Sequence, residues 1–145
     1  MKNLAPLLIL FSNYVAADQD YSISGVEIGM TLSEVIAIKG PPDKENEILD
    51  WFDRVYSFKE LKVYSLGSQL VVGLESTNVN DCTHHNICPK ENVAKAIKIL
   101  GSASNVLKTG NGSLHIFAQP GTGCSYQFRV NNETIESVNV ICSPD

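Results

Sequence analysis

Histidine is scarce in this 145-residue chain, and its scarcity limits the available chemistry. Only His84, His85 and His115 are on hand as imidazole bases or metal ligands. No Gly-x-Ser-x-Gly elbow is present, so a hydrolase of that kind has no nucleophile to offer. Gly110-Asn111-Gly112 and Gly121-Thr122-Gly123 are rich in glycine but lack the lysine and following helix of a phosphate loop. They read as hairpin turns. Basic residues are also few, 11 against 16 acidic, for a net charge of −5. They do not cluster, which argues against a nucleic-acid partner and against an anionic membrane surface. No apolar run approaches the ~20 residues that cross a bilayer. No segment has the biased composition of a disordered chain.

The apolar run that does stand out opens the chain. Lys2 precedes an almost unbroken apolar stretch, Leu4 to Phe11, and Val15-Ala16-Ala17 places small or β-branched residues at the −3 and −1 positions. This is the layout of a cleaved secretory signal over residues 1–17. It implies a periplasmic or secreted protein with no stable membrane insertion after cleavage. No cysteine lies near the cleavage point to carry a lipid. Removing 17 of the 145 residues leaves 128, enough for one ordinary domain, and losing Lys2 takes the net charge from −5 to −6.

Four cysteines in an exported chain read as two disulfides. Cys82 and Cys88 would close a tight loop in "CTHHNIC". Cys124 and Cys142 flank a hairpin pattern with Asn131-Asn132 as its turn signal. Alternation puts Cys124, Tyr126, Phe128 and Val130 on one face of their strand, and Val138, Val140 and Cys142 on one face of the next. Both sulfurs then point to the apolar side at roughly opposed positions, which favours the pairs 82–88 and 124–142 over the two other pairings. His84 and His85 are adjacent, so in extended chain they face opposite ways and make poor joint ligands for one ion.

The same order of elements occurs on both sides of this loop. In "GVEIGMTLSEVIAIKGPP", Thr31 and Glu34 form a capping box, Leu32, Val35 and Ile36 recur at helical spacing, and Gly40-Pro41-Pro42 stops the helix. In "CPKENVAKAIKILGSAS", Val93, Ala96, Ile97 and Leu100 form the stripe and Gly101 ends it. An offset of 61 aligns Ile36 with Ile97 and Gly40 with Gly101. Strands are expected at Asp50–Phe58, Leu61–Leu66 and Gln69–Ser76, then at Ser113–Gln119, Cys124–Val130 and Thr134–Cys142. Tyr64 and Tyr126 take matching places, one residue off that offset. The expectation is an α+β fold: two α-β-β-β units, residues 18–80 and 90–145, joined by a disulfide-closed linker at 81–89. Together they form an antiparallel sheet of about six strands with both helices on one face.

The opening of the first unit resembles a known signature. Gly29, Met30, Thr31, Val35 and Gly40 match the Gly-Met-Thr helix of BamE-like (SmpA/OmlA) envelope proteins. The β-lactamase-inhibitor-protein family shares that signature and carries it in tandem α/β units. The resemblance spans the mature chain in layout but only the first helix in motif. The second unit has Pro89-Lys90-Glu91 in place of Gly-Met-Thr, and the lipid-attachment cysteine of BamE is missing. It implies a protein that meets protein partners through its exposed sheet face and loops.

The residues themselves point the same way. Trp51, Phe52, Tyr56, Phe58, Tyr64 and Phe117 exceed what one face of so small a sheet needs to bury. In the first strand, Leu49, Trp51 and Val55 alternate with Phe52, Tyr56 and Phe58, so that one set is core and the other either lies under the linker or forms an exposed aromatic patch. Aromatic patches are where interfaces concentrate their energy, so Trp51, Phe52, Tyr56, Tyr64 and Phe117 are the candidate protein-binding residues. No catalytic residue, cofactor or metal ligand is assigned. The reading is an exported non-catalytic protein-binding module, an enzyme inhibitor or envelope assembly factor. A small-ligand or metal-binding periplasmic protein is the alternative, and a hydrolase a more distant one.

Overall fold

A computed structural model describes residues 21–47, 52–67 and 69–143. The leader lies outside these residues, as does Trp51. Each half of the described chain runs from a helix into a four-stranded meander. In the first half α1 (Leu32–Lys39) leads into β3 (Lys44–Glu47), β4 (Arg54–Phe58), β5 (Leu61–Leu66) and β6 (Leu70–Ser76). In the second, α2 (Val93–Leu100) leads into β7 (Asn105–Thr109), β8 (Gly112–Gln119), β9 (Cys124–Asn131) and β10 (Thr134–Cys142). A short hairpin of β1 (Ser22–Ile23) and β2 (Val26–Glu27) precedes both. The large sheet is antiparallel with eight strands ordered β3-β4-β5-β6-β10-β9-β8-β7, so the last strands of the two meanders meet at its centre.

This architecture corrects the expected fold class. Over the described residues the chain is mostly β, with an eight-stranded sheet, a two-stranded one and two eight-residue helices, rather than α+β with about six strands. The two strands that were not expected are the outermost. Strand β3 reads Lys-Glu-Asn-Glu and β7 reads Asn-Val-Leu-Lys-Thr, and all their residues are exposed. An edge strand with no buried face has no apolar alternation to announce it, only its partner's backbone.

Local chemistry explains the helices. The Thr31 hydroxyl accepts from the Glu34 amide and the Glu34 carboxylate accepts from the Thr31 amide at 2.8 Å, a complete capping box. Asn92 caps α2 by accepting from the Ala94 amide at 2.8 Å. Gly40 and Gly101 end the helices at φ of 80° and 85°, a conformation that favours glycine. Both cap residues also bridge to the start of the last strand in their own meander, Thr31 to Leu70 and Asn92 to Thr134. Caps, ends and bridges thus recur in the same order in both halves.

The core lies on one face of the sheet. Register places Tyr56, Val63, Leu74, Val140, Tyr126 and Phe117 in one row across six strands, with Phe58, Leu61, Val138 and Phe128 beside it. Val35 of α1 and Val93 and Ala96 of α2 join the same buried cluster. Between the helices the roof is closed by β1–β2 and the "CTHHNIC" loop. Ser24 donates to the Cys82 carbonyl, His84 donates to the Ser22 carbonyl, and Ile23, Val26 and Ile87 are fully buried beneath. The loop is therefore part of the core's lid as well as a connector.

Both expected disulfides are formed, Cys82–Cys88 within that lid and Cys124–Cys142 between directly opposed residues of β9 and β10. The β9–β10 turn falls one residue later than its signal suggested, at Asn132-Glu133, both with positive φ.

Candidate functional site

The face of the sheet away from the helices carries the other half of the alternation. Register aligns Lys62, Glu75, Asn139, Gln127 and Ile116 in one row, and Val55, Tyr64, Gly73, Ile141 and Ser125 in the next. Glycine at position 73 makes room for aromatic rings. A Cβ there would meet the Tyr64 Cβ at 3.3 Å and the Phe52 ring at 3.6 Å. The Phe52 and Tyr64 rings lie 4.9 Å apart, centroid to centroid, at a tilt of 37°. Such a pair contributes about 0.5–1.5 kcal/mol beyond the area it covers.

Beside these rings is a cavity of about 270 Å³, whose polar lining comes from Glu75, Gln127, Arg129 and Asn139 and whose apolar lining includes Leu114 and Ile141. The Tyr64 hydroxyl donates to Glu75 Oε2 at 2.9 Å. Partial burial of Tyr64 pushes its pKa above the ordinary tyrosine value. The Glu75 charge and the hydrogen bond to it act in the same direction, while Arg129 partly opposes them. Asn139 is 8 % exposed, and its Nδ2 donates to the Gln127 carbonyl at 3.0 Å and the Ser137 hydroxyl at 3.3 Å. The floor of the cavity is thereby fixed, and its rim holds one carboxylate and one guanidinium.

Two of the five candidate residues meet here. Phe52 and Tyr64 line the cavity together, whereas Tyr56 and Phe117 are 1 % and 2 % exposed in the core row beneath the helices. Those two are packing residues, because in their register the aromatic side points to the helical layer. Phe52 departs from the expected alternation because β4 begins only at Arg54. The matching of Tyr64 with Tyr126 also fails. Val63, opposite Leu74, is the core residue of β5, so Tyr64 faces the other way from Tyr126. A single-residue slip in a strand reverses the face. Trp51 lies outside the described residues. Glu75, Gln127, Arg129 and Asn139 were not singled out from sequence, and their only signal is their place on the alternate face of strands already recognised.

Other chemistry is sparse. The Ser113 hydroxyl lies 3.0 Å from His115 Nε2 beside a cavity of about 460 Å³, but among the described residues the buried His115 Nδ1 has no hydrogen-bond partner. Among the described residues no carboxylate orients the imidazole as a hydrolytic triad requires. The His84 and His85 rings sit edge to face at 5.4 Å, and His85 rests against Tyr126 at 5.8 Å. Among the described residues no group of three or more His, Cys, Asp or Glu could hold a metal ion.

The fold defines a class, an open antiparallel sheet covered on one face by a tandem pair of helices, and solved structures of similar shape are known. No known family matches the sequence, and no curated protein does either. Among solved structures, a DUF4309 family protein from Bacillus subtilis superposes with a TM-score of 0.54 at 16% identity, covering 83% of this chain and 84% of that one. An extracellular protein containing an SCP domain, from Bacillus anthracis, superposes with a TM-score of 0.60 at 14% identity. The match covers 91% of this chain and 49% of that protein, so the present fold spans about half of it. At these identities the likeness is one of fold. The two disulfides fit a protein that resides in an oxidising compartment outside the cytoplasm. Among the described residues no helix is long and apolar enough to cross a membrane.

Proposed function

We propose that this chain is an exported, non-catalytic protein-binding module that engages another protein in the periplasm or extracellular space through the open face of its sheet. The observation that carries the reading is the Phe52–Tyr64 pair laid over Gly73 beside a shallow charged cavity. Rigid aromatic side chains next to well-placed polar groups are what interface hot spots are made of. A cavity of about 270 Å³ is below the usual size of a small-molecule site, which favours a side chain of a partner as its occupant. The leader-like residues 1–17 and the two disulfides support export, and the BamE-like and β-lactamase-inhibitor-like motif at Gly29-Met30-Thr31 supports an inhibitor or assembly factor. A negative chain with unclustered basic residues gives no support to a nucleic-acid partner.

The test is site-specific photocrosslinking of the oxidised protein in an envelope or culture-medium extract. A photoreactive residue at Lys62, on the open face, is expected to trap a protein that the same residue at Lys98, on α2, does not. Tyr64→Ala should abolish the product. Equal trapping from both positions, or none from Lys62, refutes the reading.

A further inference from the structure

The cavity on the open face is unequal in its hydrogen-bonding character. The Gln127 carbonyl can only accept, so the Asn139 amide must turn its nitrogen towards it, and Oδ1 is left as the group Asn139 offers to the cavity. Glu75 uses Oε2 for the Tyr64 hydroxyl, and among the described residues Oε1 has no hydrogen-bond donor. Two acceptors, one of them charged, thus lie beside two aromatic rings. That combination suits a planar cation with several N–H donors, because ring faces attract positive charge and carboxylates pair with it. The chain's net charge of −5 favours approach by a basic surface.

We infer that the cavity receives an arginine side chain presented by the partner protein, with Glu75 as the charge partner, Asn139 Oδ1 as a second acceptor, and Phe52 and Tyr64 as the stacking wall. This rests on the open face being the binding surface. Arg129 lines the same cavity, and its charge is felt at Tyr64. It therefore repels a guest cation and sets an upper limit on the affinity. The two charged residues consequently act with opposite sign, which a purely hydrophobic surface would not do.

The experiment is an NMR titration of the isotope-labelled, disulfide-intact protein with three blocked tripeptides, acetyl-Gly-Arg-Gly-amide and its Lys and Glu counterparts. The arginine peptide is expected to shift the amides of Gly73, Glu75, Gln127 and Asn139 saturably, ahead of lysine, while the glutamate peptide leaves them in place. Glu75→Gln, which keeps an acceptor for the Tyr64 hydroxyl, should weaken the arginine peptide about fivefold, and Arg129→Gln should strengthen it about twofold. Spectra of both variants without peptide verify that they fold. If the glutamate peptide binds as well as arginine, or Glu75→Gln changes nothing, the cation assignment is overturned while the open face stands as a binding surface. If no peptide moves these amides, the assignment is likewise overturned, and photocrosslinking from Lys62 decides separately whether the face binds at all.

Discussion

Tyr64 gives the open face a measurable signature at alkaline pH. Its hydroxyl is half-buried and donates to Glu75, so the folded protein holds that proton more tightly than the unfolded chain does. A group whose pKa is raised on folding contributes stability fully below its unfolded value, here about 10, and loses it as pH climbs through the folded value. Complete one-sided titration would remove about 1.4 kcal/mol between pH 9 and pH 11. Tyr64 is only half-buried, and solvent screening reduces the expected loss to roughly 0.5–1 kcal/mol. Tyr64→Phe removes both the titration and the hydrogen bond. It should cost about 1 kcal/mol at neutral pH, and the gap to the wild type should close as the pH approaches 11. Urea denaturation midpoints of the two proteins at pH 8, 9, 10 and 11 measure this directly. If the two midpoints fall in parallel across that range, Tyr64 is not held protonated by its surroundings and the electrostatic picture of the cavity is wrong.

The remaining expectations concern the scaffold. Gly112→Ala drives a Cβ into the Val130 carbonyl oxygen of the neighbouring strand, so calorimetry should show a loss of roughly 1–3 kcal/mol, whereas an unchanged melting temperature would place β8 differently against β9. Thr31→Ala and Asn92→Ala each remove a cap that accepts a backbone N–H; about 1 kcal/mol each in urea denaturation is expected, and two silent variants would contradict the cap assignments. Replacing Cys124 and Cys142 by alanine opens the longer loop, with a sequence separation of 18 against 6 for Cys82 and Cys88. Chain entropy predicts losses of about 3 and about 2 kcal/mol in non-reducing denaturation. A larger loss from the 82–88 pair would mean that lid packing around Ile87 outweighs loop closure.

Much of the layout was legible because it is written in local chemistry. The capping box at Thr31, the stop at Gly40, the stripe from Val93 to Leu100 and the alternation from Cys124 to Cys142 each follow from a short-range rule, and each corresponds to an observed element. The disulfide pairs followed from the same alternation, since Cys124 and Cys142 fall opposite each other once Tyr126 is set against Val140. Strands β3 and β7 were not legible, because an exposed edge is defined by the hydrogen bonds of its neighbour and not by its own side chains. The candidate site was legible only in part. Composition shows a surplus of aromatic residues but not which face each takes, and in a strand one position of register decides that.

The sequence by itself determined the local rules: where helices start and stop, which strands alternate, which cysteines can face each other, and that the chain is acidic and poor in catalytic side chains. Tertiary structure alone decided that Tyr56 and Phe117 are core while Phe52 and Tyr64 line a cavity, that "CTHHNIC" closes a lid, and that Glu75, Arg129 and Asn139 converge. The last of these depends on how β6 pairs with β10 across the middle of the sheet, which sets Glu75 against Asn139. Such pairing joins residues more than sixty positions apart, through contacts that no short stretch of sequence encodes.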